Sequence, residues 1–298
     1  MTLTGAGAAF KKLEITDVVK SYGSKCVLDD IDLHVSHGEF CTLVGPSGCG
    51  KSTLLRLILG QEQSDQGSIL VEGQPVGFPD PYRGIVFQKY SLFPHLSVLD
   101  NVLLGKHLSH QRWWMPWRRQ SDWKGEAMSL LERVRLAEAA EKYPHELSGG
   151  MQQRAAIAQA LIMKHPILLM DEPFGALDPD TREDLQIFLL DIWEKEQLTI
   201  FFVTHDLEEA CFLGSRLLVL SQYYTDDRGN GPSVNRGGKI VADHSLKNSA
   251  GSTVIKDQVE FRDLIESVRR EGFSPEIRQH VDNFNLNHPD SFRTLNEY

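Results

Sequence analysis

Little in this sequence offers a route to disulfides, to a membrane or to nucleic acid. Cysteine is scarce: Cys26, Cys41, Cys49 and Cys211 are the four in 298 residues, and none forms a C-x-x-C pair. That usage argues against a disulfide framework and fits a reducing cytosol. No segment approaches the roughly twenty apolar residues a spanning helix needs, and no charged-then-apolar leader opens the chain. Membrane association is therefore expected to run through a partner. Positive charge is in deficit, with 31 Lys and Arg against 41 Asp and Glu and a net charge of −10. A nucleic-acid partner is not expected from that balance. Repeats and long low-complexity tracts are missing as well. What remains is an ordinary globular composition, 41% hydrophobic and 24% charged, long enough for one large domain with a small appendage.

The chain is organised around one stretch. Phe40-Cys41-Thr42-Leu43-Val44 is an apolar run that suits a buried parallel strand. Gly45-Pro46-Ser47-Gly48-Cys49-Gly50-Lys51-Ser52-Thr53 follows it and matches G-x-x-x-x-G-K-[ST] at every required position. Leu54 to Leu59 then continues as a helix. In that strand-loop-helix setting the glycines aim backbone N–H groups at phosphate oxygens, and the helix N-terminus adds partial positive charge. Lys51 is expected at the β- and γ-phosphates and the Ser52 hydroxyl on Mg²⁺. A nucleotide binds here.

Leu13 to Val19 and Val27 to Val35 alternate as strands about a turn at Lys20 to Ser24, and read as an antiparallel β-layer over the nucleotide fold. Ser68 to Val71 and Gly84 to Phe87 are short strands. Helices are predicted over Gly125 to Glu141 and from Ser148 to His165, where Pro166 stops the second. Ile167 to Met170 and Thr199 to Thr204 are buried strands, and Arg216 to Leu220 closes the sheet. Asp178-Pro179-Asp180 opens a helix with a capping aspartate and a first-turn proline. Its apolar face is Leu185, Phe188, Leu189 and Ile192. Asp226 to Gly238 is a Gly/Asn/Pro-rich loop, and Lys239 to Asp243 returns as a strand.

Two further features carry chemistry. Asp171-Glu172 follows an apolar strand, where α/β sheets place catalytic groups. Beside a phosphate loop, the aspartate suits Mg²⁺ and the glutamate suits activation of water. Leu147-Ser148-Gly149-Gly150-Met151-Gln152-Gln153-Arg154 is by itself only a capped helix start. It also makes a second anion site at a helix N-terminus. Two such sites in one chain suggest that one serves the nucleotide of another copy.

With those motifs in view, the sequence resembles the nucleotide-binding subunit of an ABC transporter from about Leu13 to about Asp243. The phosphate loop, LSGGMQQR, ILLMDEP, Ala176-Leu177-Asp178 and the histidine of Val203-Thr204-His205-Asp206 stand in that family's order. The resemblance implies an α/β fold: a P-loop ATPase domain with an antiparallel β subdomain and a helical signature subdomain. It places the ATP-binding domain at residues 13 to 245, its helical part at about 90 to 165, and a C-terminal extension at 246 to 298.

It further implies that Tyr22 stacks on adenine and that Gln88 meets Mg²⁺ and the attacking water and senses the membrane subunit. Ser148, Gly149 and Gly150 then cap the γ-phosphate held by the opposite subunit. Glu172 becomes the catalytic base, Asp178 part of a cross-dimer loop and His205 the γ-phosphate switch. Implied partners are a transmembrane permease, a second ATPase subunit and a solute-binding protein, with the chain on the cytoplasmic face of the membrane. LSGGM, DEPFGALD, Tyr143-Pro144-His145-Glu146 and THDLEEA resemble the nitrate, sulfonate, taurine and bicarbonate importers. The rival within the fold is a soluble ABC-type ATPase of DNA repair or chromosome maintenance. No coiled coil or zinc-cysteine insertion of that kind is visible.

Two regions depart from the pattern. Arg112 to Trp123, with four tryptophans, is an insertion suited either to a membrane or protein interface or to packing on its own subdomain. After about Ile255, Phe261, Leu264, Ile265 and Val268 have helical spacing, and a polar, Asn-rich end follows. A segment this short is expected to dock on the catalytic domain.

Overall fold

The computed structural model describes residues 11–79, 83–87, 92–109, 118–175, 177–229, 234–246 and 259–291. Alternating apolar residues make Lys11–Tyr22 (β1) and Lys25–Ser36 (β2) an antiparallel hairpin. Leu13, Ile15 and Val18 on β1, and Leu28, Ile31, Leu33 and Val35 on β2, turn one face inward. The expected turn at Lys20 to Ser24 is narrower. β1 runs on to Tyr22, leaving Gly23 and Ser24 as the tip, with Gly23 at φ +60°. Gln66–Val71 (β4) pairs with the other edge of β1 and Gln74–Pro75 (β5) with β4, giving a four-stranded sheet in the order β2-β1-β4-β5.

Against this layer stands a seven-stranded sheet. Its parallel centre is Phe40–Val44 (β3), Arg83–Phe87 (β6), Ile167–Asp171 (β7) and Ile200–Val203 (β8), with Arg216–Ser221 (β9) beside β3. β3 and β8 are buried at every position, as continuous apolar runs demand. Lys51–Leu59 (α1) follows β3 and packs between the two sheets, with Leu54 and Ile58 fully buried. Pro179–Glu196 (α5) buries Leu185 and Leu189 against the sheet's other side; of the rest of the predicted face, Ile192 is buried and Phe188 only half-buried. Leu207–Leu213 (α6) leads from β8 to β9.

Val98–Ser109 (α2), Arg118–Arg133 (α3) and Gly149–Leu161 (α4) form a helical subdomain with a separate core around Val98, Val102, Leu131 and Ile162. α2 was not expected from the sequence. Its start is hidden behind Pro94 and fixed by side chains: Ser97 Oγ accepts from Asp100 N–H at 3.1 Å, and the buried Asn101 amide donates to the carbonyls of Phe93, Leu96 and Ser97. The helix predicted over Gly125 to Glu141 instead begins at Arg118 and stops at Arg133. There Arg135 turns to φ +57° and Leu136 N–H closes back on the Leu131 carbonyl at 2.7 Å. Residues 110–117, which include the first half of the Trp/Arg insertion, lie outside the described residues. Trp123 sits in α3, packs on the subdomain core and places its ring 5.9 Å from that of His107.

The C-terminal segment carries more structure than a helix and a polar end. Tyr224–Thr225 (β10) and Lys239–Ser245 (β11) precede it. Val259–Gly272 (α7) then lies on β9, β11 and α6 with Val268 fully buried. Gln279–His280 (β12) pairs with β10, and Asn285–Leu286 (β13) with β11. The main sheet therefore runs β13-β11-β9-β3-β8-β7-β6, and the tail supplies its edge. Among the described residues, no helix is long and apolar enough to cross a membrane.

Candidate nucleotide site

Parallel register brings four strand ends to one rim. Leu43 pairs with Val203, Val203 with Asp171, and Asp171 with Phe87. The loops after β3, β6, β7 and β8 leave the sheet side by side, at the carboxyl ends where α/β sheets hold ligands. β3 lies between β8 and β9, so this is also where the strand order reverses.

Gly45 to Gly50 turn from β3 into α1. Gly50 is the residue before the helix, at φ +111°, a conformation a side chain would strain, and no side chain caps the helix there. The first backbone N–H groups of α1 are thus left for a ligand. Lys51 is folded back over the loop, its ammonium donating to the carbonyls of Gly45 at 2.6 Å and Pro46 at 3.1 Å. Ser52 is exposed beside it, while Cys49 and Thr53 are buried.

At the end of β7, Asp171 is half-buried. Burial first, and the neighbouring Glu172 second, push its carboxyl above the usual range, while Lys51 and Arg56 oppose them. A carboxylate with that cost of ionisation is a fit for a cation. With the Ser52 hydroxyl it offers hard oxygen donors of the kind Mg²⁺ takes. Glu172 occupies the left-handed region at φ +46°, and its N–H donates to the Val203 carbonyl at 2.8 Å. That turn points its carboxylate at the loop after β8, where His205 Nδ1 lies 3.2 Å away. Glu172 and His205, separated in sequence, are neighbours in space.

The His205 loop has support that motif reading missed. Thr204 Oγ donates to the Glu209 carboxylate at 2.6 Å and accepts from Asp206 N–H at 3.1 Å. Gln186 on α5 donates to Glu209 at 3.0 Å. Asp206 caps α6 by accepting from Glu208 and Glu209 N–H groups. Burial raises the Glu209 carboxyl, against the hydrogen bonds from Thr204 and Gln186. A Thr and a Glu flanking His-Asp at a helix start were the available signal, as the acidic third residue of a capped turn.

Ser148 caps α4, accepting from Met151 N–H at 3.3 Å. Gly149 begins that helix. Gly150 packs so closely on α5 that a Cβ there would stand 2.4 Å from Thr181 Cγ2. Asp178 caps α5, and the hydrogen bond from Thr181 N–H, 3.0 Å long, lowers its carboxyl. Ser148, Gly150 and Asp178 thus form one corner, the α4 and α5 N-termini together. No hydrogen bond or ion pair among the described residues joins that corner to Lys51. Tyr22, at the β1–β2 tip, is 46% exposed and donates from its phenol to Glu62. Gln88 and Ala176 lie outside the described residues.

Residues 28–175 match the family model described as ABC transporter. The nitrate import ATP-binding protein of Synechocystis sp. is 47% identical over 70% of this chain and 77% of its own length. The aliphatic sulfonates import ATP-binding protein of Bacillus subtilis is 45% identical over 65% of this chain and 72% of its own. Among solved structures, a dimeric ATP-binding cassette in a post-hydrolysis state with ADP and Pi is 29% identical. It superposes at a TM-score of 0.62 over 79% of this chain and 99% of that one.

Proposed function

This chain belongs to the ABC transporter family of ATP-binding proteins, and from that premise we propose that it hydrolyses ATP as one of a pair of subunits to drive import through a partner permease. The observation that carries the pairing is the separation within one chain. Lys51, Asp171, Glu172 and His205 gather on one rim, while Ser148, Gly150 and Asp178 form a corner, and among the described residues no hydrogen bond or ion pair joins those three to Lys51. In this reading the corner, where Gly149 and Gly150 begin α4, completes the site of a second subunit. The dimeric relative with ADP and Pi supports that arrangement.

ATP sits with its base on Tyr22 and its phosphates in the Gly45 to Thr53 loop. Lys51 leaves the Gly45 and Pro46 carbonyls for the β- and γ-phosphates. Asp171 and Ser52, with Gln88, would hold Mg²⁺, which would neutralise charge on the phosphate oxygens. Glu172 takes the proton of the attacking water, and His205 holds the γ-phosphate beside it. Ser148 to Gly150 of the second subunit stabilise charge on the transferred phosphoryl. The Gln88 to Asn101 segment carries closure and reopening to the permease.

The imported solute in this reading is a small anion or organic nutrient, in line with the nitrate and sulfonate relatives, and a solute-binding protein delivers it. The chain then works as a peripheral subunit on the cytoplasmic face. Residues 13 to 245 form the catalytic unit in this reading, and 246 to 298 an extension docked on it. Replacing Glu172 by Gln tests the assignment. ATP binding should persist while turnover falls by about 100-fold or more, and ATP should hold the variant as a dimer in size-exclusion chromatography. Turnover near that of the parent overturns the base assignment.

A further inference from the structure

The segment entering β11 has no part in the site so far, yet it touches both the Tyr22 hairpin and the phosphate loop. Gly238 N–H donates to the Val27 carbonyl at 2.8 Å, and Asp29 N–H donates to the Gly238 carbonyl at 3.0 Å. Residues Leu28 and Gly238 pair as a parallel bridge. Asn235 reaches the hairpin tip: its Oδ1 accepts from Cys26 N–H at 3.1 Å, and its Nδ2 donates to the Ser24 carbonyl. Ser24 stands just past Tyr22 and Gly23.

On its other side the same segment abuts the phosphate loop. A Cβ on Gly238 would stand 2.1 Å from the Cys49 carbonyl oxygen, so only glycine allows that approach. Ion pairs hold it within and just after the segment. Arg236 pairs with Asp226 at 2.8 Å and Lys239 with Asp30 at 2.6 Å. Beneath them the buried Tyr224 donates to Asp29 at 2.6 Å.

We propose that residues 234–238 are a strap that fixes the Tyr22 hairpin relative to the phosphate loop, with Asn235 as a positioning residue for ATP. The proposal rests on the reading in which Tyr22 stacks on the base. Pairing with β4 ends at Val19; beyond it the β1 side of the tip is held to Asp65 by Ser21 N–H and Lys20, and the strap holds the β2 side at Ser24 and Cys26. ATP gains both contacts at full strength only when base platform and phosphate cradle stand at a fixed separation. The strap supplies that separation before the nucleotide arrives, which raises affinity by removing an ordering cost. It touches neither base nor phosphate itself.

The test uses the full-length chain and two ligands, ATP and inorganic triphosphate, the second of which engages the phosphate loop alone. Asn235→Ala removes both hydrogen bonds to the tip and should weaken ATP binding about five- to tenfold, with triphosphate binding unchanged. Asn235→Asp keeps the acceptor for Cys26 N–H and should recover part of the loss. In the assembled transporter, Asn235→Ala should raise KM for ATP and leave kcat in place. Tyr22→Ala serves as the reference: it should weaken ATP and spare triphosphate, and adding Asn235→Ala to it should cost little more. Loss of ATP with Tyr22→Ala but not with Asn235→Ala overturns the strap and leaves the base platform standing. Equal loss of ATP and triphosphate in Asn235→Ala makes the residue merely structural and also overturns it. No loss with Tyr22→Ala overturns the base platform and the strap together.

Discussion

At the scale of single residues, the site depends on side chains that hold other side chains. His205 is 65% exposed at its imidazole, so its place is set by the loop that carries it. Thr204 fixes that loop with one hydroxyl, which donates to the buried Glu209 and accepts from Asp206 N–H. Thr204→Val keeps the shape and removes both bonds. It should lower stability by about 1–3 kcal/mol, since it leaves the buried Glu209 one donor short. It should also reduce kcat with little change in KM for ATP. Urea unfolding with steady-state kinetics checks both, and a kcat equal to the parent's would separate the network from His205. This network is invisible to motif reading. A threonine and a glutamate five residues apart announce a helix cap and nothing of the buried Gln186 that reaches Glu209 from α5.

Among elements, α7 shows how much stability an extension draws from polar contacts. Its Glu271 is buried and hydrogen-bonded to His244 Nε2 at 2.7 Å, Asn285 at 2.8 Å and Ser267 at 3.0 Å. Burial alone would raise the Glu271 carboxyl, but the hydrogen bonds from His244, Asn285 and Ser267 bring it below its ordinary 4.5. A carboxylate whose folded pKa is depressed adds stability that is complete above its unfolded pKa and is lost as pH falls through the folded one. Stability should therefore drop below about pH 4.5. Glu271→Gln should be less stable by about 1–3 kcal/mol near neutrality and show a shallower acid slope. Urea midpoints between pH 3 and 7 distinguish the two chains, and identical acid slopes would remove Glu271 from the account.

Helical spacing made α7 legible from Phe261, Leu264, Ile265 and Val268. The strand β13 was not legible, because two residues in an Asn-rich stretch carry no period. It forms because β11 has an open edge, and the residues beyond β13 are tied to the domain: His288 Nε2 lies 3.4 Å from Glu39, and Ser36 donates to Asp290 at 2.7 Å. His288 Nδ1 accepts from Asp290 N–H, which leaves its proton on Nε2 facing Glu39. The cluster of Glu39, His288 and Asp290 is thus already satisfied from within, with Arg216 3.4 Å from Glu39.

For the whole molecule, the division of the site between a rim and a corner predicts complementation. A chain with Lys51→Ala keeps its Ser148 corner, and a chain with Ser148→Arg keeps its phosphate loop. Either variant alone should be inactive. Mixed, they form one intact composite site, and ATP turnover should rise well above that of either chain by itself. A mixture no more active than its components would mean that each chain completes its own site.

The sequence alone determined the local chemistry. Gly45 to Thr53 reads as a phosphate loop because backbone sterics and a helix start leave that pattern few other uses. The acid pair after Met170, the caps Ser148 and Asp178, and the apolar runs of the central strands are local in the same way. Tertiary structure decided which of these meet. Parallel register set Glu172 beside His205, and close packing at Gly150 put Ser148 and Asp178 in a corner of their own. It also drew residues 234–238 between the Tyr22 hairpin and Cys49. None of these follows from composition or period, because each depends on two segments that come together only when non-local strands pair and bury their faces.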